Sequence, residues 1–216
     1  MKGDEVEDLL SEQISYYRAR APEYEAGALD LPGGDELEHA LDSFGPDGDV
    51  LEIACGTGIW TEQLLRHARS VTAIDASPEM LAIASDRVAD DPRAHFVKAD
   101  IFHWRPERAY DVVFFGFWLS HVPPERFDSF WSLVAECLTP QGRVFFADDA
   151  YRTPDELIEG ESSTTIRRRL ERGSEFRVVK VPHTTTGLER RLTEKGWQIR
   201  VSQTAGPFYW GSGSRG

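Results

Sequence analysis

The stretch from Val50 to Trp60 restricts the fold more than any other part of the chain. Val50-Leu51-Glu52-Ile53-Ala54 has the apolar density of a buried strand, Cys55-Gly56-Thr57-Gly58 reads as a glycine turn, and Ile59-Trp60 opens a helix. Such a turn presents bare backbone N–H groups beyond the strand end. It is a cofactor cradle, and its flanks decide which cofactor it suits.

After Gly45-Pro46-Asp47-Gly48, strand and helix alternate. Val71 to Asp75 reads as a strand, Pro78 to Val88 as a helix capped by Ser77, and His95 to Ala99 as a short strand. Asp111-Val112-Val113-Phe114-Phe115 has the unbroken apolar run of a strand covered on both faces. A helix from Glu125 to Leu138 and a strand from Gly142 to Ala147 follow. The order predicts an α/β, Rossmann-like doubly wound fold with right-handed crossovers. Beyond it, Phe176 to Val181 reads as a strand, Thr186 to Lys195 as a helix, Trp197 to Ser202 as a strand, and Gly206 to Trp210 as its bulged extension. The expected sheet is seven-stranded and mostly parallel, with an antiparallel C-terminal edge strand.

Residues 1–44 are expected to form an N-terminal helical lid, 45–210 the cofactor-binding domain, and 211–216 a flexible Gly-Ser tail. In the lid, a helix from Val6 to Arg20 ends at Pro22, a loop runs from Glu23 to Gly34, and Asp35 caps a second helix through Leu37, Ala40 and Leu41. Tyr16, Tyr17, Arg20 and Tyr24 are the side chains this lid would bring to the site; packing on the sheet is the competing account.

A net charge of −13 repels phosphate backbones and anionic lipid, so a small molecule is a better expected partner than nucleic acid or membrane. No secretory leader and no apolar run long enough for a span is recognisable, which predicts a cytoplasmic protein. Cys55 and Cys137, without histidine or cysteine at metal spacing, read as reduced packing thiols and give no metal site. The sequence does not distinguish monomer from homodimer.

Asp75 follows Gly56 by nineteen residues, where an acid at a strand end accepts from ribose hydroxyls. The third glycine of the dinucleotide pattern is replaced by Thr61. Asp100 lies twenty-five residues past Asp75, where a carboxylate would accept from an adenine amino group, and Glu52 adds an acid beside the turn. Acids at this turn suit a cofactor bearing an ammonium and a sulfonium and would repel a pyrophosphate.

Glu52-Ile53-Ala54-Cys55-Gly56-Thr57-Gly58, Asp75 with Ser77-Pro78-Glu79-Met80-Leu81, Ala99-Asp100-Ile101, and Asp111 to Phe117 resemble the ordered motifs of class I S-adenosylmethionine-dependent methyltransferases. The match runs from about Val50 to Ala147, and departs in Ala54, where many members have glycine. The resemblance implies S-adenosylmethionine as cofactor and S-adenosylhomocysteine as product. It implies that Glu52, Ala54, Gly56 and Gly58 line the methionine moiety, Asp75 with Ala76 holds the ribose, Met80 packs on the adenine, Asp100 and Ile101 read its edge, and the Phe117 carbonyl meets the ammonium.

Trp60, Phe117 and Trp118 would form an aromatic wall by the sulfonium, worth about 0.5 to 2 kcal/mol as cation–π contact, and Trp118 would also face the acceptor. His121, in the expected acceptor loop, is the candidate general base, with a pocket-shaping histidine as the alternative. Asp148 and Asp149 stand ready to hydrogen-bond a polar acceptor or to cap their loop, and Arg167, Arg168, Arg169, Arg172 and Arg177 read as a solvated helix face, with anion binding as the minority account. The expected function is methyl transfer to a small apolar or aromatic metabolite. A regulatory protein that keeps the cofactor but transfers nothing, or a nicotinamide-dependent reductase, are the alternatives.

Overall fold

The computed structural model describes residues 3–24, 31–89 and 91–216; Met1, Lys2 and residues 25–30 of the expected Glu23–Gly34 loop lie outside the described residues. Two helices, α1 (Gly3–Arg20) and α2 (Gly34–Phe44), precede β1 (Asp49–Ile53), α3 (Ile59–Leu64), β2 (Ser70–Asp75), α4 (Pro78–Arg87) and β3 (Ala94–Lys98). There follow β4 (Tyr110–Gly116), α5 (Phe127–Cys137), β5 (Leu138–Asp149), β6 (Thr165–Arg169), β7 (Glu175–Val179), α6 (Thr185–Glu194), β8 (Trp197–Gln203) and β9 (Phe208–Arg215).

The seven-stranded sheet has the order β3-β2-β1-β4-β5-β9-β8. The first five strands are mutually parallel and β9 runs against both its neighbours, so the reversed strand sits one place inside the edge strand β8. Its middle explains the apolar runs. Parallel register sets Phe114 beside Phe145 and Phe115 beside Phe146, with rings stacked at 6.0 Å and 5.4 Å. Successive residues face opposite sides of a strand, so the two stacks fill two separate cores. Trp131 and Leu188 close one face, and Leu37, Leu41 and Leu64 the other.

α2 therefore lies on the sheet, and only α1 of the two N-terminal helices reaches the site. α1 docks on an element that sequence patterning hides. Thr165–Arg169 and Glu175–Val179 pair antiparallel as a separate two-stranded sheet, which corrects both the helix expected under the arginine cluster and the single strand expected at Phe176. Ile166 and Val178 are opposite one another and fully buried, under a Tyr16 ring 5.8 Å from that of Phe176. Gln13 of α1 accepts the Val179 N–H at 3.0 Å, and Glu12 accepts the Arg177 N–H at 2.6 Å.

Gly211 to Arg215, expected to be most of a flexible tail, are the second half of β9, and β9 is a strand of its own rather than an extension of β8. The Gly-Ser composition misleads because these glycines serve close packing. A Cβ at Gly211 would lie 2.4 Å from the Phe146 ring, and one at Gly213 would lie 2.0 Å from the Gln198 carbonyl.

Candidate active site

The strand β1 ends at Ile53; Ala54 follows with a φ of 55°, in the left-handed region, and Gly56 and Gly58 continue the turn at 55° and 79°. An alanine in that region is strained. The Cys55 N–H is held by the Ile74 carbonyl at 3.1 Å, and the Gly56 N–H by Asp75 Oδ2 at 3.0 Å, so β2 braces the turn from the side. Gly58 caps α3, and a Cβ there would meet Ala84 at 2.9 Å; it serves helix packing and does not line the cavity. At the end of β4, Gly116 admits the Trp60 indole, which a Cβ would strike at 2.6 Å, and Phe117 turns with φ 54° as its N–H meets the Ala147 carbonyl at 2.7 Å. Two left-handed non-glycine residues on adjacent strand ends mark the place where the backbone is shaped for something other than packing.

A cavity opens there, with about 770 Å³ of empty space including its mouth to solvent. Its walls bring together Ala54, Gly56, Asp75, Ala76, Met80, Asp100, Ile101, Phe117, Trp118 and His121 from the sequence-derived set, with Tyr17 and Tyr24 from the N-terminal segment. Trp60 borders a smaller recess beside it with Phe117 and Tyr24. Trp118 packs 5.9 Å from Phe102 and lines the cavity with Ile101 and Asp100. Tyr16 is packed into the hairpin and turned away from this cavity. Leu10, Gln13, Ile14 and Phe102 also line it, and only the helical period of α1 hinted at the first three.

The acids differ from one another. Glu52 is buried beneath the turn, and its Oε2 accepts from the Thr61 hydroxyl at 2.5 Å while Oε1 has no partner among the described residues. Burial pushes its carboxyl up to about 8, against the pull of Thr61 and with help from Asp75. It is therefore protonated at neutral pH, unlike the charged acid expected beside the cradle. Asp75 is raised by burial too, although the N–H groups of Ser77, Gly56 and Ala76 oppose the shift. Asp100 turns onto its own loop, accepting from Phe102 N–H at 3.0 Å and lying 2.9 Å from His103 Nδ1.

His121 sits on a short 3-10 turn, Leu119–His121, after β4. Its Nδ1 lies 2.6 Å from the Val179 carbonyl, which has no proton to give, so Nδ1–H donates and Nε2 keeps the lone pair. That lone pair faces the Tyr17 hydroxyl at 2.9 Å. Burial, and then the Lys180 charge, hold the imidazole well below its usual range. At neutral pH it is an uncharged acceptor with a fixed tautomer.

A second chamber adjoins Phe117, Tyr17, Tyr24 and His121 and carries Arg20, Arg168, Lys180 and Asp149. Its lining mixes these charges with the aromatic rings of Tyr17, Tyr24, Phe117, Tyr151 and Phe208. Sequence reasoning missed Lys180 and reached Arg168 only as one of five clustered arginines, because both arrive on the hairpin that patterning did not detect.

Fold and site together define an α/β domain that binds a nucleoside-bearing cofactor at the carboxyl ends of its strands. A family model described as a methyltransferase domain matches residues 50–142. The structure of a DhpI–SAH complex superposes with a TM-score of 0.85 at 38% identity, covering 96% of this chain and 97% of that one. A malonyl-[acyl-carrier protein] O-methyltransferase of Ilyobacter polytropus is 27% identical over 169 residues, 76% of this chain. A trans-aconitate 2-methyltransferase of Escherichia coli is 36% identical over 112 residues, 51% of this chain. The chain spans 58% and 40% of the lengths of these two curated relatives. It belongs to the class I S-adenosylmethionine-dependent methyltransferases, and the nicotinamide alternative falls away. No helix among the described residues is long and apolar enough to cross a membrane.

Proposed function

We propose that the chain transfers the methyl group of S-adenosylmethionine to a small-molecule acceptor, with His121 as the proton acceptor. The observation that carries this is the place of His121 on the border of both chambers, with Nε2 bare of a proton and Nδ1–H spent on Val179.

The residues present fit the cofactor. Among the buried polar atoms with no partner in the described residues are Glu52 Oε1, beneath the turn, and the Trp118 indole N–H, whose side chain lines the first cavity. Asp75 would hold the ribose, and Met80, Ile101, Phe102 and Trp118 would enclose the adenine. When bound, S-adenosylmethionine supplies a methyl group already activated by its sulfonium. The protein then contributes mainly orientation, which is worth roughly 7 to 11 kcal/mol in favourable cases against about 10²- to 10⁴-fold for one general base. Tyr17 and His121 both border the second chamber, with the Tyr17 hydroxyl on Nε2 of His121. An acceptor O–H or N–H that donates to the Tyr17 oxygen passes its proton there, as the Tyr17 hydrogen moves to Nε2. Phe117, Tyr24 and α1 keep water from the path.

Calorimetry with S-adenosylmethionine and S-adenosylhomocysteine tests the binding step, and a methyl-release assay tests transfer. Binding without release from any acceptor would favour the regulatory protein over the enzyme. The acid net charge argues against a nucleic-acid acceptor, and the chamber is sized for a metabolite.

A further inference from the structure

Resting on the proposed transfer activity, we infer that the acceptor is an oxyanion, a carboxylate or phosphoryl compound, gripped by Arg20, Arg168 and Lys180 while its reacting atom meets Tyr17 and His121. The three cations come from α1, β6 and the residue after β7, and the docking of α1 on the β6–β7 hairpin brings them to one chamber. Among the described residues lining it they face a single carboxylate, Asp149, in a protein whose net charge is −13.

The carboxylates near them are already engaged. Asp149 Oδ2 accepts from Lys180 at 2.9 Å and Oδ1 from the Tyr151 N–H at 2.8 Å. Asp148 is wholly buried behind the wall, its oxygens taken by Ser120 and by the Asp149 N–H, with Lys180 Nζ 3.6 Å from Oδ1. Glu156 pairs with Arg168 from the other side, along a different cleft. The cations, in contrast, keep donors in hand. Among the described residues, Arg168 uses only Nη1, on Glu156, and Lys180 uses two of its three hydrogens, on Ser120 Oγ at 3.0 Å and Asp149. Arg20 has no carboxylate partner among the described residues; it donates from Nη1 to the Tyr16 hydroxyl and lies over the Tyr16 and Tyr24 rings. Guanidinium forks with free N–H groups beside a buried ammonium are a recognition set for an oxyanion.

Strand geometry separates this set from the rest of the arginine cluster. Alternation puts Arg168 on the face of Ile166, toward α1, while Arg167 and Arg169 lie on the other face and pair with Glu175. Arg177 pairs with Glu12 on the surface. Only Arg168 of the cluster lines the chamber.

The test is calorimetry on the full chain, first with S-adenosylhomocysteine, then on the loaded protein with malonate, inorganic phosphate and neutral malonamide. One malonate or phosphate should bind per chain and malonamide should not. Arg168→Gln and, separately, Arg20→Gln should weaken the anion by at least about tenfold, the scale of one charged hydrogen bond, and leave S-adenosylhomocysteine affinity within twofold. Arg177→Gln should change neither. The inference is overturned if malonamide binds as well as malonate, if neither anion binds at tens of millimolar, or if both arginine variants bind the anions unchanged. A chain that fails to take up S-adenosylhomocysteine sinks the proposed transfer activity instead.

Discussion

The Tyr17 hydroxyl on the N-terminal helix lies 2.9 Å from Nε2 of His121, on the turn after β4, so the one free lone pair of the candidate base is met by a residue 104 positions away. Burial holds the Tyr17 hydroxyl well above its usual range, so it stays protonated and donates. Tyr17→Phe removes the relay and His121→Gln the final acceptor. Each should lower kcat by about 10²- to 10⁴-fold with little change in S-adenosylhomocysteine affinity. The base form of His121 survives as pH falls, so the acid limb of kcat/KM should lie below the usual imidazole value of 6.5. An unchanged kcat in His121→Gln would end the base role.

Glu52 makes a prediction of opposite sign. Its folded value of about 8 lies above the ordinary 4.5, so between them the native state holds a proton that the unfolded chain has lost. Its contribution is complete below the ordinary value and disappears as pH rises through the folded one. The limiting slope is about 1.4 kcal/mol per pH unit. The difference in urea stability between wild type and Glu52→Gln, followed from acid to alkaline pH, should therefore move in favour of the variant; a flat difference would mean that Glu52 is not protonated in the fold.

Asp75 braces the turn as well as facing the cavity. Asn in its place keeps the shape and sets an amide N–H₂ against the N–H of Gly56 or Ser77. Loss of one charge-assisted hydrogen bond costs about 1.5 to 3 kcal/mol. S-adenosylhomocysteine affinity measured by calorimetry should fall by about ten- to a hundredfold, and the thermal midpoint should drop with it.

How far this site is legible in the sequence depends on where its signals are stored. The turn from Ala54 to Gly58, Asp75 and the Asp111–Phe115 strand carry local signatures: glycine at positive φ, an acid at a strand end, and an apolar run long enough for two covered faces. His121 is found by its place after a strand. The acceptor side is different, because Arg168 and Lys180 reach the chamber only through pairing of β6 with β7 and the docking of α1 upon them. An alternation as charged as Thr165-Ile166-Arg167-Arg168-Arg169 has one buried apolar residue to announce it, which is too little against the prior for a polar surface. Gly211 and Gly213 fail for the converse reason: their composition says linker, and only the neighbouring Phe146 and Gln198 say otherwise.

Asp148 is the link between the two halves of the site, and it gives the most discriminating prediction. At the end of β5 it accepts from the Ser120 N–H at 2.7 Å, the Ser120 hydroxyl at 2.8 Å and the Asp149 N–H at 2.8 Å, with Lys180 Nζ 3.6 Å away. The Ser120 carbonyl accepts the Val181 N–H at 2.7 Å. Ser120 is thus clamped from both sides, and its neighbour His121 is aimed by that clamp. Asp148→Asn keeps the volume but loses an acceptor and leaves Lys180 with Asp149 as its one ion-pair partner among the described residues. Breaking a buried pair by removing one partner costs about 3 to 5 kcal/mol, whereas removing both partners costs much less than the two single losses together. Asp148→Asn should therefore lower both the thermal midpoint and kcat while leaving the acceptor KM near that of wild type. Lys180→Met should raise the acceptor KM, because it takes a cation from the chamber. In the double variant the stability losses should be strongly less than additive, and the raised KM should remain. Additive losses would show that Asp148 and Lys180 act independently, and an acceptor KM raised by Asp148→Asn alone would move Asp148 from the clamp to the binding surface.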